Sequence, residues 1–341
     1  MLDNSDNVLA SGSASVTNYM AARADLGWGY VCADGTKRYS YIQPLYVKDQ
    51  VFHSSQGILT CTLSCIGLFD LMDLDEANAD YKQDSGSTYT IKDLIDGICA
   101  ATLAPYTHCV AYTVAWDSDD AIFDTFKPAD AFHIKFKESR LSALKRLLWF
   151  TKTVMRVESA DSKIHFRLPT VSGSTYAYEY RLDVSGYHTF YAKTYRQSFL
   201  APNYIEVESH PDDGDGFTGK AEDTTYSDLT PITPFTSGEI REHLRYRVAS
   251  DAEAVSLAAA MLEKQQQDTE KGAGTVPVNC GQEIYDYVLF TDARQSGDTR
   301  AGNVGFINRR YEMGRTWAMD IGFGDILNQG MQWLLAPRGI K

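Results

Sequence analysis

The sequence predicts an α+β protein, mainly β, in which two antiparallel β regions of barrel-like character flank a compact α/β unit. Three observations carry this. Apolar and polar residues alternate in segments of residues 28–85 and again between 171 and 323. Helical spacing is concentrated between 87 and 169 and again near 251–271. Aromatic residues are abundant, with 21 Tyr, 15 Phe and 5 Trp in 341 residues, which favours pleated sheet and broad contact surfaces. The expected division is 1–86, a barrel-like domain; 87–169, an α/β insert; 170–325, a second β domain carrying the late helix; and 326–341, a tail.

The elements follow in order. Residues 1–25 open with the small polar run Ser11-Gly12-Ser13-Ala14-Ser15, a flexible arm or first edge element. Residues Tyr39 to Val47 read as a strand, with Pro44 marking an edge or bulge. Leu59, Cys61, Leu63 and Cys65 alternate with Thr60, Thr62 and Ser64, a half-buried strand. The acidic segment from Asp70 to Asp84 closes the first β region. Thr90 with Asp93 forms a capping box ahead of Ile91, Leu94, Ile95 and Ile98, so residues 91–102 read as a helix. Strands are expected at Val110 to Ala115 and Phe132 to Phe136. A second helix runs from Glu138 to Phe150 on the stripe Leu141, Leu144, Leu147 and Leu148. Residues 154–158 and 163–168 form a hairpin in which Ile164, Phe166 and Leu168 face one way and His165 and Arg167 the other. Beyond 171, Tyr176, Tyr178, Tyr180 and Leu182 alternate, and strands continue at 190–196 and 204–208. Ser250 and Glu253 cap a helix that ends near Gly272. Final strands are expected at 285–291, 304–311 and 317–323.

Bulk properties exclude several classes. A chain with 44% hydrophobic and 23% charged residues is not generally disordered. Its formal charge of −13 lacks the basic footprint of a duplex-binding protein. Like charge would instead let DNA slide past without sticking. No run reaches ~18 apolar residues, so no membrane span is expected. The polar, acidic start Met1-Leu2-Asp3-Asn4-Ser5-Asp6 is unlike a secretory signal, which predicts a protein made in the cytoplasm. The six cysteines, Cys32, Cys61, Cys65, Cys99, Cys109 and Cys280, are expected to be reduced thiols, with Cys61 and Cys65 as small buried hydrophobes.

No motif demands a catalytic reading. There is no Gly-x-Ser-x-Gly elbow and no phosphate loop. The crowded acids Asp212, Asp213 and Asp215 resemble a calcium loop but lack flanking helices, and loop chemistry accounts for them. The seven histidines, His53, His108, His133, His165, His188, His210 and His243, show no paired zinc spacing. No catalytic, cofactor or metal residue is therefore assigned. The stretch Gly297-Asp298-Thr299-Arg300-Ala301-Gly302-Asn303 reads as a structural or interface loop, where Asp292, Arg294, Asp298 and Arg300 pair with each other or with a neighbouring subunit. The stripe Tyr176, Tyr178 and Tyr180 reads as a sheet face packed against a partner, with a sugar platform as the alternative. Tyr176, Tyr178, Tyr180, Arg294 and Arg300 are thus the candidate interface residues.

Three segments carry a resemblance. One is Glu138 to Leu148, followed by Thr153 to Glu158 and Lys163 to Leu168. The second is Tyr195-Arg196 through Pro202 to Val207. The third is Val276 to Gly281 through Tyr287, then Gly302 to Gly305. In architecture and texture, residues 87–323 resemble the baseplate hub proteins of phage tails, a family that includes the late control protein D group and the first part of the type VI secretion spike. The resemblance implies two tube-type antiparallel β-barrel domains around the insert and a homotrimer whose six barrels make a pseudo-sixfold ring. It implies a non-enzymatic virion protein, assembled in the host cytoplasm, that joins a hexameric tail tube protein to a trimeric spike or tail-tip protein. Genomic DNA would pass through it unbound, and no cofactor is implied. A distal tail or tube-adaptor protein and a carbohydrate-binding tail protein are the alternatives.

Overall fold

The computed structural model describes residues 2–3, 22–56, 58–118, 120–170, 172–182, 188–197, 202–209, 216–223, 240–294, 298–311 and 314–324. The first region contains β1 (Leu2–Asp3), β2 (Arg23–Ala24), β3 (Gly27–Val31), β4 (Lys37–Tyr41), β5 (Leu45–Ser55) and β6 (Ile58–Gly67). Four of these form an antiparallel sheet in the order β1-β6-β5-β2, and β3 and β4 form a separate hairpin. Pro44 breaks the expected Tyr39–Val47 strand into β4 and β5, because it has no N–H to give a ladder. A helix, α1 (Leu68–Leu74), begins where the sequence reads as the acidic end of the β region. Asp70 accepts from the Gly67 N–H at 2.8 Å, and Leu68 and Met72, four apart, are buried on one side.

The insert follows as β7 (Tyr81–Lys82), α2 (Ile91–Cys99), β8 (Val114–Trp116), α3 (Ile122–Thr125), β9 (His133–Ile134), α4 (Arg140–Leu148), β10 (Val154–Val157) and β11 (Ile164–Arg167). The capping box of α2 forms as the sequence predicts: Asp93 N–H donates to Thr90 Oγ1 at 3.2 Å, and Thr90 N–H donates back to the Asp93 carboxylate at 2.9 Å. The expected strands at 110–115 and 132–136 shrink to β8 and β9, whose neighbours are loops. The hairpin forms, and β11 sits centrally, antiparallel to β10 and parallel to β8.

The last region contains β12 (Tyr178–Leu182), β13 (Ala192–Gln197), β14 (Tyr204–Ser209), β15 (Thr218–Glu222), β16 (Arg241–Tyr246), α5 (Asp251–Thr269), β17 (Glu270–Pro277), β18 (Tyr287–Asp292), β19 (Asp298–Arg309) and β20 (Ala318–Phe323). Six strands, in the order β12-β18-β19-β20-β17-β13, curl into a half-barrel. Three more, β15-β14-β16, form a small sheet against α5. Among the described residues the protein is mainly β: the six-stranded sheet is a curled half-barrel, and the first region is a four-stranded antiparallel sheet with a separate hairpin.

Several expectations are corrected. Residues 298–303 are the first half of β19, not a loop, because their backbone pairs continuously with β18. The late helix stops at Thr269 and gives way directly to β17, which the sequence hides because Gly272, Ala273 and Gly274 carry no strand signature. That strand is held from outside, by pairing with β13 and β20. A Cβ on Gly272 would lie 1.9 Å from Phe323 Cζ, so only glycine fits beneath that ring. Residues Asp212 to Asp215, between β14 and β15 in the chain, lie outside the described residues, as does Gly297.

Two apolar cores result. One joins α1, the insert, β14 and α5, with Ile98, Leu144, Phe166, Ile205, Leu257 and Met261 all buried. It runs continuously across the 169/170 boundary. The other fills the half-barrel with Tyr180, Phe190, Val288, Phe290, Val304, Ile321 and Phe323. All six cysteines are free, but only Cys61 and Cys99 are fully buried. Among the described residues, no helix is long and apolar enough to cross a membrane.

Candidate assembly surface

The hairpin β3–β4 has two unlike faces. On one, Trp28 reaches across to Trp317, just before β20, with ring centroids 6.3 Å apart. On the other, Tyr39 and Tyr41 stand edge to face at 5.4 Å, opposite Gly29 and Gly27 in the register. A Cβ on Gly29 would come within 2.5 Å of Tyr39 Cβ, so the glycine seats the tyrosine. Tyr39 and Tyr41 are 61% and 49% exposed, beside the exposed Val31. The proximity of Tyr39 pushes the Tyr41 phenol above its ordinary pKa. A two-stranded ribbon alone is marginally stable, so this ribbon depends on its docked face while presenting aromatic surface on the other.

The neighbouring β5 adds an open edge. It pairs with β6 along its whole length, but β2 covers its other side only at Leu45 and Tyr46. From Lys48 to Ser55 that side has no strand partner among the described residues. Val51 and Phe52 are exposed there. An uncovered edge of this length offers backbone donors and acceptors to an incoming strand.

The sequence-predicted interface residues are placed as follows. Tyr176 precedes β12 and stacks on Tyr287 at 5.4 Å. Tyr178 is half-buried, edge-on to His188 at 5.3 Å. Tyr180 is completely buried, donates its hydroxyl to Gln282 Oε1 at 3.0 Å and stacks on Phe290 at 5.1 Å. It is therefore core within this chain, and burial drives its phenol pKa upward. Tyr178, Tyr180 and Leu182 share one face of β12 by strand alternation, and that face lies against the half-barrel core. From Tyr180 a line of near-parallel rings crosses the half-barrel through Phe290, Phe323 and Tyr195, with successive centroids 5.1, 4.9 and 6.5 Å apart.

The arginines behave as the pairing argument expects. Arg294 grips Asp292 through Nε and Nη2, both at 3.0 Å, and holds that carboxyl below its usual range. Arg300 donates to Asp298 at 3.1 Å while its guanidinium covers the Tyr195 ring at 4.3 Å, and Lys193 also pairs with Asp298. These contacts join β13 to β19 across the half-barrel. The exposed Tyr39, Tyr41, Val51 and Phe52 were missed by sequence reasoning. The available signal was Gly27 and Gly29 at alternate positions opposite alternate tyrosines. Among the described residues, one group of metal-type ligands converges: Asp117, Glu158 and His165.

No protein-family model matches the chain, and no curated protein matches it in sequence. Solved structures do match. A prophage tail protein of Listeria monocytogenes aligns with a TM-score of 0.54 at 12% identity, over 92% of this chain and 89% of that one. A tail protein of Neisseria meningitidis gives 0.53 at 12% identity, over 84% and 82%. A tail protein of prophage MuSo2 from Shewanella oneidensis gives 0.50 at 14% identity, over 89% and 90%. At such low identity the likeness concerns fold: the chain has the fold of phage tail proteins.

Proposed function

We propose that this protein is a structural, non-catalytic component of a phage tail, acting as a baseplate hub between a hexameric tube and a trimeric spike or tip. The observation that carries this reading is the fold likeness to three tail proteins over most of the length of each. The surface supports it. The half-barrel, the open edge of β5 and the aromatic face of β3–β4 are features that a neighbouring copy can complete. In this reading three copies close a ring, and the two β regions of each copy together make one six-membered arrangement around a channel. Three copies of a chain with formal charge −13 surround that channel with a strongly negative field, which keeps DNA from adhering to its wall.

Mass measurement by light scattering tests the proposal. A homotrimer of about 114 kDa, three times 38.0 kDa, that binds a tube protein in a second step is the expected result. A stable monomer at high concentration with affinity for glycans would replace the hub with a carbohydrate-binding tail protein. A ring that binds the tube but no spike or tip would assign the chain to the tube-adaptor position.

A further inference from the structure

We propose that Asp117, Glu158 and His165 form a binding site for a divalent transition-metal ion on the outer face of the β10–β11–β8 sheet. The placement follows from strand alternation. Ile164 and Phe166 point from β11 into the core, so His165 between them points outward. It is nevertheless only 8% exposed, because side chains from three segments close around it. Asp117 follows β8, Glu158 follows β10, and Asp161 lies in the turn between β10 and β11. One ligand atom from each of Asp117, Glu158 and His165 lies within 4.8 Å of the other two.

The two imidazole nitrogens have different surroundings. Nε2 meets Asp161 Oδ1 at 3.0 Å. That carboxylate is itself fixed by the Lys163 backbone N–H at 3.0 Å and the Lys163 ammonium at 3.2 Å. Held in that position, the carboxylate is placed to accept a hydrogen bond from Nε2–H. Nδ1 faces Asp117, 2.9 Å from Oδ2. A carboxylate on one imidazole nitrogen orients the ring and raises the basicity of the other, which is the usual support of a metal-bound histidine. Glu158 uses Oε1 for Arg156, which leaves Oε2 to take up a cation. Arg156 in turn reaches Glu283 at 3.0 Å and the Ile284 carbonyl at 3.2 Å, so the cluster is tied to the half-barrel. Asp117 has a side chain 43% exposed and gives the ion a path from solvent.

The donor set selects the ion class. One imidazole nitrogen with two carboxylates suits Mn²⁺, Co²⁺, Ni²⁺ or Zn²⁺ better than the all-oxygen preference of Mg²⁺ or Ca²⁺. Binding exchanges the proton on Nδ1 for the ion, and that proton leaves to solvent. The inference is independent of the hub assignment, since it rests on the insert alone.

The test uses the full chain, stripped with a chelator and titrated with Co²⁺ and with Zn²⁺. Visible absorption of the cobalt form and isothermal titration should show one saturable equivalent, and the melting temperature should rise with added ion. His165→Gln and Asp117→Asn should each weaken binding by at least about tenfold, and Asp161→Asn by about tenfold through loss of the orienting carboxylate. If His165→Gln fails to fold, Asp117→Asn decides, because its side chain is substantially exposed. No saturable binding to the parent chain, or equal affinity in the parent and Asp117→Asn, overturns the proposal.

Discussion

The core around the insert contains buried basic side chains, whereas the core of the half-barrel is built on stacked rings. In the first, Arg140 is fully buried. It donates to the Ile98 and Cys99 carbonyls at the end of α2, at 2.9 and 3.1 Å, to the Val110 carbonyl at 2.8 Å, and to Asp75 at 2.8 Å. Its guanidinium also covers Tyr112 at 4.8 Å. Lys264 of α5 does the same for α4, donating to the Leu148 carbonyl at 2.9 Å and to the Trp149 carbonyl. In the half-barrel, backbone groups are paired laterally, and the interior needs shape instead of charge. The contrast teaches that a short helix ending inside a protein leaves carbonyls that require donors, and a long side chain from another element can supply them. A curled sheet has no such ends, so rings and glycines can fill it.

The largest effect should come from breaking the insert core. Arg140→Leu removes the charged donor shared by the Asp75 carboxylate and three carbonyls, a loss of about 3–5 kcal/mol. Arg140→Lys should recover only part of this, because one ammonium cannot reach all four acceptors. Calorimetry should show this variant lowering the transition of the insert core while the half-barrel transition stays in place. If both transitions fall together, the two cores form one cooperative unit and the comparison collapses into one.

The opposite perturbation is Gly272→Ala. The added methyl would overlap the Phe323 ring, so the expected loss is about 1–3 kcal/mol, confined to the half-barrel transition. Adding Phe323→Leu should recover part of that loss by removing the ring edge. No recovery in the double variant would mean that the glycine serves the β17 backbone instead of seating the ring.

Lys264 sharpens the comparison through pH. Burial pulls its ammonium down to a pKa of about 7, well under the ordinary lysine range. Between about 7 and 10.5 the unfolded chain therefore holds a proton that the folded chain has released. Stability from this site should be greatest above the unfolded value and fall as pH drops towards 7, by at most about 1.4 kcal/mol per pH unit. Urea midpoints measured at pH 7, 8 and 9 should rise in the parent relative to Lys264→Met, in which this dependence is absent. Parallel lines for the two proteins would show that the ammonium stays charged on its carbonyls.

Helices and hairpins with local signals were legible in the sequence. The Thr90–Asp93 box, the Ser250–Glu253 cap and the 154–168 hairpin all depend on residues close together in the chain. The middle region was therefore read well, and so was the mainly β class. Elements defined by distant partners were not legible. Strand β17 is a run of small residues whose pairing comes from β13 and β20, and α1 hides inside an acidic segment. Strand β16 carries the charged Arg241, His243 and Arg245 at alternate positions and is defined by its parallel pairing with β14. For the candidate surface, alternation puts Tyr178 and Tyr180 on one face of β12, and the curl of the sheet, which no local pattern shows, turns Tyr180 inward. The Asp117, Glu158 and His165 group draws on three separate segments, which no local spacing could reveal.

The smallest expected effect concerns the end of α2 opposite to Arg140. Thr90→Ala removes the oxygen that accepts from the Asp93 N–H, a loss of about 1 kcal/mol. This is smaller than the loss at the other end because the Thr90–Asp93 bond is exposed, so water can replace the missing acceptor, whereas Arg140→Leu strips a charge-assisted donor from four buried or half-buried acceptors, and at Ile98 and Cys99 neutral backbone bonds, from the Ala101 and Tyr112 N–H groups, remain. The two variants thus probe the same helix at a wet end and a dry end. The ratio of their shifts in the insert transition measures how much the dry end matters. Equal shifts would mean that water reaches the Arg140 acceptors once the guanidinium is gone.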